Sequence, residues 1–147
     1  MQELWNFALS FYAKQGVESA CLTLQEQGQD VCLLICAAWL QKRAVVFKHE
    51  YLDQLKASAG PWPQEVTGAL RTLRNSWKSA AQSDLQLADL REQIKHLELA
   101  SEKMLLQRLE SCCLNWPADQ SKTQDWLSQL CPTDSAALQV LRGATAD

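Results

Sequence analysis

At 147 residues, with 47% hydrophobic and 21% charged side chains, the chain has the balance of one globular domain with a real core, not of a disordered segment. A net charge of −3 supplies no global field that would draw it to nucleic acid or to an anionic membrane surface. Leu, Ala, Gln and Glu far outnumber the β-branched residues, there are only five Gly and four Pro, and this bias predicts an all-α fold.

The first predicted helix covers about 2–15. Glu3, Asn6, Ser10 and Lys14 form one wet stripe, and Leu4, Trp5, Phe7, Ala8, Leu9, Phe11 and Tyr12 a wide apolar face. Gly16 closes it, and a second helix, about 17–27, carries Val17, Ala20, Cys21 and Leu24 on one face before Gly28. Asp30 is a suitable N-cap for the third helix, about 31–42, whose "VCLLICAAWL" is apolar in every direction. Such a helix belongs at the centre of a bundle. "AVVF" reads as an extended link to a fourth helix, about 48–58, with Tyr51, Leu52 and Leu55 turned inward.

"GPWP" at 60–63 is the sharpest break, and Pro63 suits the first turn of a fifth helix, about 63–82, carrying Val66, Leu70, Leu73, Trp77 and Ala80. The capping pattern Ser83-x-x-Gln86 starts a sixth, about 84–114, roughly 45 Å long at 1.5 Å per residue. That exceeds the diameter of about 40 Å expected for a domain of this size, so the helix must protrude, bend or pack against something beyond the domain. Its apolar line is Leu87, Leu90, Ile94, Leu97, Ser101, Leu105, Leu109 and Cys112, which suits a long hairpin with the fifth helix. Ser101 and a drifting period keep it from reading as a clean coiled coil. After "NWPAD", a short helix from about Thr123 to Leu130, ended by Pro132, and another over 135–142 complete the chain, with a frayed tail.

The opening motif carries a resemblance. Leu4, Trp5, Phe7 and Ala8, then Gly16-Val17-Glu18, Cys21-Leu22 with Leu24-Gln25, and Asp30-Val31 with Leu33-Leu34 and Trp39-Leu40 make up its pattern. Further on, "LRTLRNSWK" and "LELASE" continue it. The chain resembles an uncharacterised family of short proteobacterial proteins over most of residues 4–110, with Cys32 where that pattern has Asn. The resemblance implies a natural bacterial protein and no particular activity.

Few chemistries find support. The isolated glycines 16, 28, 60, 68 and 143 cannot build a phosphate-binding loop, and no Gly-x-Ser-x-Gly elbow is present. His49-Glu50 begins a zinc-protease motif that fails at Asp53, and Cys32/Cys36 and Cys112-Cys113 lack zinc-ligand spacing, so no metal or cofactor is expected. The six cysteines read as reduced, mostly buried thiols, with Cys112, Cys113 and Cys131 the more accessible. "MQELWNFALSFYAK" lacks the basic start of a secretory leader, and no run of about 20 apolar residues offers a membrane span, so a cytoplasmic location is expected.

Two surface features remain. Arg71, Arg74 and Lys78 make a basic stripe on the fifth helix that could hold phosphate or an acidic partner, against the plainer reading of a solvated face balanced by Asp84, Asp89, Glu92 and Glu98. Trp62, Trp116 and Trp126 lie at breaks or in short elements and are candidate exposed aromatic contacts or covers of core edges. Together these predict a single helical domain over 1–114, built on the central helix at 31–42 and the hairpin 63–82/84–114, with the short helices of 115–147 packed on it. The expected role is a non-enzymatic cytoplasmic interaction or adaptor protein that binds a protein partner or itself. Nucleic-acid or regulatory binding by the basic stripe is the alternative.

Overall fold

The third helix, α3 (Val31–Lys42), is apolar on all sides and buried on all sides, from Cys32 through Leu40. In the computed structural model, which describes residues 2–122, 125–131 and 133–146, Asp30 caps it by accepting the Leu33 N–H at 3.3 Å. Around it lie α1 (Glu3–Tyr12), α2 (Val17–Glu26), α7 (Trp126–Leu130) and α8 (Ala136–Ala146), all four in contact with it. The alanines at 37 and 38 are wholly buried, which suits the close approach of so many neighbours. The fold is all-α, and no strand occurs among the described residues, where Val45 and Ala118 form only an isolated bridge.

The chain divides into two compact units. Unit 1 takes both ends, Met1–Ser58 and Leu106–Asp147, and unit 2 takes Ala59–Leu105. Unit 1 therefore holds α1–α3, most of α4 (His49–Ala59), the end of α6 (Leu85–Cys113), α7 and α8. The terminal helices are integral to it: α8 packs on α2 and α3. The tail continues as helix to Ala146 because Ala144 and Thr145 are buried and Lys14 Nζ donates to the Ala144 carbonyl at 2.7 Å. The expected helix start at Thr123 and stop at Pro132 lie outside the described residues.

Unit 2 differs from the regular fifth helix expected. Pro63–Thr67 forms a π turn, α5 proper runs only Gly68–Ser76, and Ala80–Gln82 is a 3-10 turn. The Gly68 N–H bonds to the Pro63 carbonyl, five residues back. A Cβ on Gly68 would stand 2.9 Å from that oxygen, so only glycine lets the bulge close. Gly68→Ala is expected to lower stability by about 1–3 kcal/mol, as overpacking against backbone does, measured by urea unfolding. The start of α6 also differs: Asp84, not Ser83, accepts the Leu87 N–H at 3.1 Å.

A candidate interaction surface on α6

Unit 2 packs α6 on α5 through polar groups. Glu98 is only 8% exposed and lies between two arginines of α5: Arg74 Nε reaches its Oε1 at 2.6 Å and Arg71 Nε its Oε2 at 3.1 Å. Arg71 also meets Glu102 at 3.5 Å, and Arg91 Nε donates to the Arg74 carbonyl at 3.0 Å. One turn along, the buried Ser101 hydroxyl donates to the Glu98 carbonyl at 2.7 Å, so the Thr67 hydroxyl, 2.8 Å away, donates to Ser101 in turn. Trp62 Nε1 completes the seam on the Ser101 carbonyl at 2.9 Å. Burial pushes the Glu102 carboxyl above the usual carboxylate range, against the opposing pull of the Arg71 guanidinium. The π turn matters here, because it sets the buried Thr67 against Ser101.

Because polar residues face inward, apolar ones are left outside. The line expected along α6 splits into two tracks. Ser101, Leu105 and Leu109 are buried, whereas Leu90, Leu97 and Met104 are 49%, 54% and 49% exposed. These three, with the exposed Gln86, Gln93 and Ala100, recur alternately four and three residues apart. The helix is otherwise rich in charge, yet this stripe from Gln86 to Met104 carries none. The two ends of α6 differ as well: Leu85 is 90% exposed and Cys113 is buried.

The basic stripe expected from the sequence is divided. Arg71 and Arg74 are three-quarters buried in ion pairs with α6, and Lys78 is exposed. Glu98, one of the acids named as a counterweight, does the balancing. The three tryptophans, read from the sequence as exposed contacts or as covers of core edges, are each buried or half-buried. Trp126 is wholly buried, with Nε1 donating to the Val45 carbonyl at 2.8 Å and Phe47 edge-on at 4.9 Å. Trp116 is half-buried and stacks on Tyr51 at 4.0 Å, and Trp62 is half-buried in the seam. The signal for the stripe, a run of uncharged residues in heptad register, is present in the sequence but is hidden by the apolar line beside it.

Unit 1 has a small cavity of about 210 Å³, lined by Glu3, Trp39, Arg43, Glu110, Cys113 and Leu114. Arg43 lies over the Trp39 ring at 4.5 Å and pairs with Glu3 at 2.9 Å. Glu110, 3% exposed, accepts the Leu4 N–H at 2.6 Å, supplying from far along the chain the cap that Gln2 does not give α1. Five of the six cysteines are buried; Cys113 and Cys131, expected to be accessible, are among them, and Cys112 alone is half-buried. A hydrogen bond to Cys113, together with burial, pushes the Cys36 thiol well above its ordinary range, and burial pushes Cys21 to about 12. Thiols held protonated in this way are poor nucleophiles. Among the described residues no group of three or more His, Cys, Asp or Glu is placed to hold a metal ion. No helix among them is long and apolar enough to cross a membrane.

An all-α protein with an ion-paired seam inside and an uncharged helical stripe outside is thus defined. The chain belongs to the family described as Protein of unknown function (DUF2390), whose model matches residues 3–109 and so takes in the whole stripe. No curated protein and no solved structure matches it.

Proposed function

We propose that this is a non-enzymatic interaction protein of the bacterial cytoplasm, binding a protein partner through the outer face of α6. The observation that carries this reading is the charge-free stripe of Leu90, Leu97 and Met104 with Gln86, Gln93 and Ala100, left bare on a helix that meets α5 through the ion pairs of Glu98 and Glu102. Helices with apolar residues at such spacing are read by partner helices. Free thiols at all six cysteines favour a reducing compartment. The test is a photo-activatable cross-linking residue at position 97, with position 92 on another exposed face as control, in the native cell. Protein adducts at 97 that vanish with Leu90→Lys are expected, and no adduct at 97 above the control would refute the reading.

Nucleic-acid binding through Arg71, Arg74 and Lys78 stands second. Lys78 is exposed, but the two arginines already neutralise Glu98. This reading requires salt-sensitive binding that is lost when all three become alanine.

A further inference from the structure

We infer that the occupant of the α6 stripe is a second copy of the same helix, running antiparallel across a two-fold axis. This rests on the interaction reading above and names its partner. Three features of the stripe point to it. The first is its own pattern. In heptad terms Leu90, Leu97 and Met104 hold one core position, and Gln86, Gln93 and Ala100 the other. Antiparallel helices pack one core position against the other. Leu90 then faces Ala100 of the second copy, Leu97 faces Gln93, and Met104 faces Gln86. Each bulky side chain meets a small or flexible, uncharged one, and no layer sets two bulky residues together.

The second feature is charge order. The open flank of the stripe carries the exposed Asp89 and His96 and the half-buried Lys103 at successive heptads, acidic at one end and basic at the other. In an antiparallel pair this flank runs against its own copy, so Asp89 lies beside Lys103 of the second copy, and Lys103 beside its Asp89. The contact is isologous and made twice, as two-fold symmetry requires. A parallel pair would instead set Asp89 beside Ile94, without a countercharge. The third feature is agreement between the two registers. The core layers centre on position 95 and the charged flank on position 96, so a single alignment of the helices satisfies both.

The other flank is uncharged for its own reason. Leu87 and Ile94 are half-buried and Ser101 is buried within unit 2, so the stripe has one open side and one side backed by its own fold. That geometry suits one added helix, and the stripe of 19 positions, from 86 to 104, offers it about 28 Å of length.

Sedimentation equilibrium of the full chain across the micromolar range tests this. A reversible dimer is expected. Leu97→Glu should weaken it about a hundredfold or more while leaving the helical circular dichroism unchanged, because the position is exposed in the monomer. Asp89→Lys and Lys103→Asp should each weaken it about tenfold by turning two attractions into repulsions, and together they should restore it. Wild-type protein that stays monomeric overturns the inference, as does a dimer indifferent to Leu97→Glu. A dimer that responds to Leu97→Glu but not to the charge reversals overturns the antiparallel register. Monomeric protein that still gives adducts at position 97 with other proteins keeps the interaction reading and removes the second copy as its occupant; failure of both assays removes both.

Discussion

Glu98→Ala is expected to destabilise unit 2 by about 2–4 kcal/mol. Removing one partner from a well-shielded ion pair leaves the other charge without compensation, which costs about 3–5 kcal/mol when burial is complete. Here the side chains of Arg71 and Arg74 remain 24% and 21% exposed, so water screens part of the loss. The measurement is urea unfolding with amide exchange to place the loss in residues 59–105. A triple variant with leucine at 71, 74 and 98 should recover part of the deficit, since it removes Glu98 and both guanidiniums together and leaves only the partly exposed Glu102 without its Arg71 partner. A loss under about 0.5 kcal/mol for Glu98→Ala would show that the seam is effectively solvated. Glu98→Ala also bears on the nucleic-acid reading: with Glu98 gone, Arg74 loses its carboxylate partner while Arg71 keeps Glu102, and affinity for single-stranded DNA at low salt should rise above that of the wild type.

Trp126→Ala is expected to have the larger effect, about 3–5 kcal/mol, lowering the melting temperature by roughly 10 °C. The ring is wholly buried, and its N–H holds the Val45 carbonyl beside the bridge to Ala118. The Asp119 N–H bonds to the Ala44 carbonyl at 2.8 Å in the same place, so one tryptophan steadies two irregular segments of unit 1. Trp126→Phe should cost less, about 1–3 kcal/mol, because it keeps an aromatic body and loses chiefly the donor. Equal losses for the two variants would mean that the hydrogen bond, not the packing, holds the segments.

Helix α3 was the most legible part of the chain, because an element apolar in every direction has no face left to assign. Its cap at Asp30 followed from residue type alone. The π turn had no such signature. Pro63 signals a helix start under either geometry, and Gly68 becomes meaningful only once its nearness to the Pro63 oxygen is known. Periodicity picked out Leu90, Leu97, Leu105 and Leu109 but missed Met104, Leu106 and Cys113 and merged the two tracks of α6, since period alone does not say which track has a partner within the chain. Trp126 looked peripheral because it sits in a short element near breaks, and burial there depends on Val45 and Phe47, some eighty positions earlier. The division into two units was illegible for the same reason: it is made by contacts between the two ends of the chain. The Arg71–Glu98–Arg74 cluster was half legible, as complementary charge on adjacent helices without the pairing.

Unit 1 is assembled from the first 58 residues and the last 42 or so, and this sets a timetable for its birth on the ribosome. Helix α3 is complete by Lys42, yet α7 and α8, which cover it, end at Leu130 and Ala146. At synthesis rates of about 5–20 residues per second, the most apolar helix of the protein waits roughly 5–20 seconds for its cover. The Leu4 amide likewise waits for Glu110. During that interval α1 and α2 can already pack on α3, but the faces that α7 and α8 will cover stay open to solvent and to chaperones.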